Sequence, residues 1–318
     1  MVPRLLALSF IWGWSFLFIR VAGEALTPTA VAGGRTLLGA VVLLAFLRIR
    51  GIPFPHDRKM LGRFLVIGAV GSAIPFTLLA WGGQYIDSGL SAVLNASTPL
   101  FTAGLAVPLL GERLRLRVVL GLLIGLAGVA VVAGVGGADV SGADALAALA
   151  PVAAGACYGL TFCYAARHLL DLPPVVAGAG QVLGATVLLA PAAIVTTIDH
   201  GEMPSARQVG ALVLLGVLGS GVAYVLSFRI VADMGPTVAS LVTYIIPVVA
   251  LGVGALVVDE SITLRTVIGG AIIVGSVALV TRARRAGAAK ALQSESAAHS
   301  PLPAPDIAPA PQVGPSPP

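Results

Sequence analysis

Apolar residues in this chain come in runs of about twenty, with almost no charge inside them. A run of that length, wound as a helix, crosses the roughly 30 Å hydrocarbon core of a bilayer. Glycine, proline and charged residues separate the runs. The pattern predicts ten transmembrane helices, at about 4–23, 30–48, 63–81, 89–109, 117–135, 146–166, 174–197, 208–231, 237–258 and 264–281.

The strands of a membrane barrel leave a different pattern, about ten residues with strict alternation of polar and apolar positions. The run from Val118 to Ala133 shows no such alternation. Because lipid cannot pair backbone groups, helices are the remaining spanning structure. The sequence therefore predicts an all-α membrane protein.

Composition and charge placement agree with a multi-pass protein of the plasma membrane. Of the 318 residues 57% are hydrophobic and 10% are charged, against about a quarter charged in a soluble domain. The net charge of +5 does not indicate a nucleic-acid partner, because Lys and Arg lie in short loops and the tail. A cytoplasmic N-terminus puts fifteen of these cations inside and three outside, with Arg35 left within a helix, which predicts that both termini are cytoplasmic.

The chain also repeats itself. A shift of 148 residues lays Gly89 to Val132 over residues 237–280 without a gap, and a shift of 146 lays Trp12 over Tyr158. Each copy holds five helices, an odd number, so the second copy must enter the membrane from the opposite side, as in many secondary transporters. The predicted organisation is a first repeat at 1–135, a short external linker at 136–145, a second repeat at 146–285 and a disordered cytoplasmic tail at 286–318.

Two stretches carry a family resemblance: SAVLNASTPLFTAGLAVPLLGERL (91–114) and ASLVTYIIPVVALGVGALVVDESI (239–262). Each is followed by a Gly-rich helix, and together they resemble the paired EamA-like repeats of the drug/metabolite transporter superfamily. The second copy departs from the usual Gly-Glu in having Asp259-Glu260. The resemblance covers about residues 5–282 and implies a ten-helix transporter. Similar members export amino acids and other metabolites, and the superfamily also includes sugar, nucleotide-sugar, lipid-precursor and cation carriers.

Two prolines mark candidate hinges. Pro99 and Pro247 align in the repeat and fall near the middle of helices four and nine. Each removes one backbone hydrogen bond, which exposes the carbonyl of Asn95 or Thr243 or bends the helix. Carriers commonly bind solutes at such interruptions near the midplane. A kink that only improves packing is the alternative.

Polar side chains surround these prolines at spacings of three and four, which gathers them on one helix face. Helix four carries Ser91 and Asn95, and helix nine carries Thr243 and Tyr244. Hydroxyls also join helices to each other in membranes, so both interpretations stay open for them. The amide of Asn95 has two donors and an acceptor to satisfy, which favours a wet cavity over a packed seam.

Aromatic residues occupy matching positions in the two repeats: Trp12 matches Tyr158, and Phe76 matches Tyr224. Indole and phenol groups at mid-membrane depth require hydrogen-bond partners. We therefore expect these residues to line a solute cavity, with packing in the helix core as the alternative for Trp12 and Tyr158.

One cation, Arg35, lies well inside a predicted helix, and Gln181 is its repeat partner. A cation is costly at the centre of a transmembrane helix and less so where its side chain can reach the interface. Arg35 either neutralises an anionic group of the solute or caps loop carbonyls at the outer face.

The carboxylates lie at helix ends, in loops or in the tail. The first helix lacks the carboxylate on which the small multidrug-resistance branch of the superfamily relies. Coupling stays open between a facilitator, an exchanger and a proton carrier that titrates at Glu24, Asp87 or Asp233. Neither HExxH nor GxSxG occurs, so the sequence predicts no enzyme, metal or cofactor.

Together these features predict a secondary transporter that moves small organic metabolites, amino acids or similar, by alternating access, with export implied by the resemblance. A lipid-precursor flippase or a channel-like facilitator is the alternative. The predicted partners are a small solute and the lipid bilayer, while proton coupling and a homodimer stay open.

Overall fold

The computed structural model describes residues 2–85, 88–133, 142–199, 203–249 and 264–298. Within these ranges the regular structure is entirely helical. There are ten helical units: α1 (Val2–Ala22), α2 (Pro28–Ile49), α3 (Arg58–Gly82), α4 in two segments (Ser88–Asn95 and Thr98–Leu110), α5 (Leu116–Ala133), α6 (Gly142–His168), α7 (Pro174–Asp199), α8 (Ala206–Met234), α9 (Pro236–Val249) and α10 (Leu264–Ala298). The prediction of an all-α chain with ten helices is confirmed for this part of the chain.

Six of these helices are long and apolar enough to cross a membrane, namely α1, α2, α3, α6, α7 and α8. The apolar parts of the other four that the structure describes are shorter, at Thr98–Leu110, Leu116–Gly128, Pro236–Val249 and Val267–Ala283. Many apolar side chains on these helices face outward, as expected for helices whose solvent is lipid.

Local sequence signals begin two of the helices. At the start of α2, the backbone N–H of Ala30 donates to Thr27 Oγ1 at 3.2 Å. At the start of α3, the N–H of Met60 donates to Asp57 Oδ1 at 2.9 Å. These caps satisfy backbone donors that have no partner inside a helix.

Two helices contain a π-helical turn at equivalent places in the two repeats. α3 is π-helical at Ala69–Ala73, and α8 is π-helical at Leu215–Val222. A shift of 148 residues lays Gly71 in the first turn over Gly219 in the second. Such turns are rare inside α-helices and frequently occur at functional sites. The pattern of apolar and polar residues does not predict these turns.

Several helix contacts are preserved when the two repeats are exchanged. α2 packs against α7 and α5 packs against α10, so each of these contacts joins a helix to its own repeat equivalent. α3 packs on α7 as α8 packs on α2, and α3 packs on α6 as α8 packs on α1. This exchange is the packing expected of two related five-helix units around a shared centre.

The predicted tail differs from the structure over its first part. α10 continues to Ala298, whereas the sequence predicted disorder from residue 286. Residues 286–298 are rich in alanine and include Lys290, Gln293 and Glu295, all residue types with high helix propensity, so the helix extends beyond its apolar part. Residues 299–318 lie outside the described residues, as does the predicted linker up to residue 141.

Candidate functional site

A cavity lies between the two repeats. Its volume is about 70 Å³, against the roughly 10–15 Å³ that a single water molecule needs. α1, α2, α3 and α4 line it from the first repeat, and α6, α7, α8 and α9 line it from the second. No described residue of α5 or α10 takes part in the lining. The cavity is large enough for a small solute.

Most of the lining residues come in repeat-equivalent pairs. At a shift of 146 the pairs are Trp12 with Tyr158, Ser15 with Thr161, Phe16 with Phe162, Ile19 with Ala165, and Arg35 with Gln181. At a shift of 148 they are Phe76 with Tyr224, Leu79 with Ser227, and Asn95 with Thr243. These pairs account for sixteen of the twenty lining residues, so the two repeats contribute almost equally to the cavity.

The π turn of α8 forms one wall contact. The carbonyl of Gly219 accepts a hydrogen bond from Trp12 Nε1 at 3.0 Å and one from Arg35 Nη2 at 3.4 Å. Arg35 Nε donates to Ser220 Oγ at 3.0 Å. The indole N–H and the guanidinium, which the sequence left without named partners, therefore share one backbone carbonyl.

The π turn of α3 forms the repeat-equivalent contact. The carbonyl of Gly71 accepts from Gln181 Nε2 at 3.0 Å and from the Tyr224 hydroxyl at 3.1 Å. Gln181 Nε2 also donates to Ser72 Oγ at 3.0 Å, and this oxygen lies 2.8 Å from the Tyr224 hydroxyl oxygen. The same Gly-Ser pair thus holds Gln181 in one repeat and Arg35 in the other.

Side chains approach the backbone closely at both turns, which leaves little room for a Cβ. A Cβ at Gly71 would lie 2.6 Å from Gln181 Nε2 and 2.7 Å from Cγ2 of Thr161. A Cβ at Gly219 would lie 2.8 Å from Oγ of Ser15. At Gly71 a larger residue would displace the Gln181 amide that bonds the carbonyl, whereas at Gly219 it would displace the Ser15 hydroxyl.

Arg35 is 3% exposed and lines the cavity. An arginine at the centre of a transmembrane helix costs roughly 2.5–3.5 kcal/mol on insertion scales. The centroid of the Phe76 ring lies 3.7 Å from the guanidinium carbon of Arg35, a distance at which the ring face attracts a cation. Its hydrogen-bond acceptors are in α8 and not in an outer loop.

Asn95 is 5% exposed and also lines the cavity. Its Oδ1 is buried, and no donor in the described part of the chain reaches it. A buried acceptor without a donor is unfavourable by about 1–3 kcal/mol. The Asn95 side chain is therefore a polar group that a bound solute can satisfy.

The two candidate hinges differ in their local structure. α4 is interrupted at 96–97, and Pro99 lies in the first turn of the segment that follows, a position where proline is tolerated. The Asn95 carbonyl accepts a hydrogen bond from the Thr98 hydroxyl at 2.7 Å. In α9 the turn falls at Leu241, six residues before Pro247. Both prolines are buried outside the cavity lining.

Seven of the nine predicted binding residues line the cavity, namely Trp12, Arg35, Phe76, Asn95, Tyr158, Tyr224 and Thr243. Ser91 and Tyr244 are buried outside the lining. The Tyr244 hydroxyl donates to the carbonyl of Leu122 in α5 at 2.7 Å, which is a helix-joining role.

Several lining residues were not selected from the sequence, namely Ser15, Phe16, Thr161, Phe162 and Gln181. They lie one turn from Trp12 and Tyr158 or opposite Arg35 in the repeat alignment. Extending each selected residue to its repeat equivalent and to its helix face would have found them.

The carboxylates considered for proton coupling lie away from the cavity. Glu24 pairs with Arg207 at 3.4 Å, and Asp233 pairs with Arg4. Asp87 lies outside the described residues. No carboxylate from the described ranges lines the cavity, and no cluster of metal-ligating side chains occurs in them.

Comparison with known proteins identifies the family. The model of the EamA-like transporter family matches residues 3–134 and 145–282, one match for each repeat. The chain belongs to the EamA-like transporter family. The resemblance drawn from the two repeat stretches is thereby confirmed.

This EamA-like transporter is 30% identical over 280 residues to the uncharacterized inner membrane transporter YedA of Escherichia coli (strain K12), covering 87% of this chain and 89% of YedA. It is 28% identical over 274 residues to a Streptantibioticus cattleyicolor protein named "probable terminal-alkyne amino-acid exporter", covering 85% of this chain and 90% of that protein. A solved crystal structure matches with a TM-score of 0.73 at 23% identity, covering 88% of this chain and 98% of that one. The EamA-like transporter shares the fold of that structure.

Proposed function

We propose that this protein carries small organic metabolites, amino acids or similar, out across the inner membrane by alternating access. The two five-helix repeats are inverted relative to each other, both termini are cytoplasmic, and the cavity is the solute site. Movement of the repeats about Pro99 and Pro247 exposes the site to one side of the membrane and then to the other.

The observation that carries this proposal is the repeat symmetry of the cavity lining. Sixteen of twenty lining residues come in equivalent pairs, so exchanging the conformations of the two repeats preserves the site while inverting its access. Secondary transporters with inverted repeats bind their solutes at this interface. The odd number of helices in each repeat supports the inversion.

The name of one relative supports amino acids as the solute and export as the direction of transport. The Streptantibioticus cattleyicolor protein, 28% identical over 274 residues, has a name that describes it as an amino-acid exporter. The lining combines aromatic rings with a few polar groups, which suits an amphipathic solute. The inner membrane is supported by the name of the relative YedA.

The placement of the carboxylates bears on whether transport is coupled to protons. Glu24 and Asp233 are engaged in ion pairs at helix ends, and the described cavity lining holds no carboxylate. Facilitated exchange needs no proton-binding group in the cavity, whereas proton coupling through Glu24 or Asp233 requires one of these ion pairs to open.

Counterflow uptake into proteoliposomes tests the proposal. Purified protein is reconstituted with an unlabelled solute inside, and uptake of the labelled solute is followed for twenty amino acids, several sugars and hydrophobic cations. We expect saturable exchange of one class, lowered about tenfold or more in Asn95→Ala. Thr36→Val is the control, because Thr36 is buried in α2 outside the lining and bonds only its own helix.

Three other outcomes would contradict parts of the proposal. Flux that does not saturate indicates a channel, and activity only on lipid-linked substrates indicates a flippase. Saturable exchange that Asn95→Ala leaves unchanged keeps the carrier but removes the site assignment.

A further inference from the structure

No carboxylate of the described ranges pairs with the positive charge of Arg35. Its guanidinium is buried beside the cavity, and its hydrogen-bond partners among the described residues are neutral, namely the Ser220 hydroxyl and the Gly219 carbonyl. No described residue forms an ion pair with it. A buried charge without a partner is unfavourable, so this group favours an anion in the cavity.

The second repeat shows that packing does not require the charge. Gln181 occupies the equivalent position in α7 and donates to Gly71 and Ser72 as Arg35 donates to Gly219 and Ser220. The Gln181 amide and the Tyr224 hydroxyl therefore satisfy this π turn with neutral groups. The positive charge of Arg35 is in excess of what the helix contact needs.

Arg35 also has N–H donors that no residue of the described ranges accepts. A guanidinium has five N–H donors, and the described contacts of Arg35 involve one from Nε and one from Nη2. No residue in the described ranges accepts a hydrogen bond from Nη1. A guanidinium with free N–H groups binds carboxylates with charge-assisted hydrogen bonds.

A second unsatisfied group lines the same cavity. Asn95 Oδ1 is buried, no residue that the structure describes donates to it, and Asn95 is 5% exposed. A half-turn of the amide presents either its oxygen or its amino group to a solute. An ammonium group is the natural partner for its oxygen when a carboxylate occupies Arg35.

We propose that the solute is a zwitterionic α-amino acid whose carboxylate binds the Arg35 guanidinium and whose ammonium group binds the Asn95 amide. The aromatic and apolar remainder of the lining, including Phe16, Phe162 and Phe228, receives an apolar side chain. Hydrophobic cations are excluded because Arg35 repels them. This inference rests on the proposed function and deepens it.

The test begins with binding to the wild-type protein. Thermal unfolding of the purified transporter in detergent is measured with each of the twenty amino acids, and the one that raises the midpoint most becomes the probe. Its amide and its decarboxylated amine serve as analogues that lack the carboxylate. We expect both to bind at least about tenfold more weakly, the effect of losing a charge-assisted hydrogen bond.

Variants at Arg35 then assign the effect to one residue. In counterflow with the same amino acid, we expect Arg35→Gln to raise KM about tenfold or more, with Arg35→Lys in between. The repeat supplies the reason why Arg35→Gln should fold, since Gln181 already fills the equivalent position. Thr36→Val, next in the same helix, should leave KM within about twofold of wild type.

The outcomes separate the two proposals. Equal binding of the amide and the acid by the wild type overturns the inference without any variant, as does the absence of stabilisation by all twenty amino acids. Saturable exchange of sugars or hydrophobic cations, unaffected in Arg35→Gln, overturns the inference and keeps the carrier. Absence of saturable exchange for every class overturns the proposed function, and the inference with it.

Discussion

Adding one methyl group at Gly71 tests whether the π turn of α3 is shaped for the approach of Gln181. The new Cβ would lie 2.6 Å from Gln181 Nε2 and 2.7 Å from Cγ2 of Thr161. Both distances are too short for a real contact, so the Gln181 side chain must withdraw. It then loses its hydrogen bonds to the Gly71 carbonyl and to Ser72 Oγ, both 3.0 Å long.

The expected magnitude combines three effects. Overpacking of this kind costs roughly 1–3 kcal/mol, and interhelical hydrogen bonds in membranes contribute about 0.6 kcal/mol each on average. Alanine favours a helix over glycine by up to about 1 kcal/mol. Because the last two effects nearly cancel, we expect Gly71→Ala to lower the free energy of unfolding by about 1–3 kcal/mol.

Two glycines serve as comparisons. Gly104 in α4 has open space where a Cβ would be, so Gly104→Ala should leave stability unchanged or raise it by up to about 1 kcal/mol. Gly219→Ala should fall between the two, because its nearest contact is the rotatable hydroxyl of Ser15, at 2.8 Å.

The free energy of unfolding can be measured by titrating SDS into mixed micelles and following circular dichroism. The order Gly71→Ala, Gly219→Ala, Gly104→Ala, from least to most stable, is the predicted result. Equal stability of Gly71→Ala and Gly104→Ala would refute the close approach of Gln181 to the π turn.

Three further predictions follow from single contacts. Tyr244→Phe should lower the free energy of unfolding by about 0.6–1.7 kcal/mol, because it removes the hydrogen bond from the Tyr244 hydroxyl to the Leu122 carbonyl. The KM for exchange should not change, and a changed KM would put Tyr244 in the solute site. Asn95→Ala should lose exchange, yet its free energy of unfolding should stay within about 1 kcal/mol of wild type, because no described residue donates to Asn95 Oδ1. A decrease in the free energy of unfolding above about 3 kcal/mol would indicate a structural role. Arg4→Ala should change the free energy of unfolding by less than about 1 kcal/mol and make it less dependent on salt, because the Arg4 and Asp233 side chains of this ion pair are 41% and 44% exposed. Unchanged salt dependence would argue against the ion pair.

Much of the fold could be predicted from the sequence because it depends on properties that are local along the chain. Bilayer thickness sets the length of an apolar run, so ten runs predicted ten helices. The repeat shift of 148 residues located both copies of the family pattern. The extension of α10 to Ala298 could not be seen in the same way, since the polar, Ala-rich segment after Arg285 reads equally as a helix or as a tail.

The candidate site was predicted only in part. Residue type and repeat position were enough to select Trp12, Tyr158, Asn95 and Arg35, which line the cavity. Tyr244 has the same residue type and helical spacing, yet its hydroxyl bonds Leu122 in α5. A polar spacing places residues on one helix face but does not say which neighbouring helix that face meets.

By itself, the sequence determined the helices, the five-helix repeat and the family, because each is a pattern of residue types at short spacings or at one constant shift. Only the tertiary structure decided the partners of the buried polar groups. Arg35 reaches the carbonyl of Gly219 across 184 residues, and Gln181 reaches Gly71 across 110. Both contacts depend on π turns and on the packing of α2 on α8 and of α7 on α3, which arise from the summed contacts of whole helices.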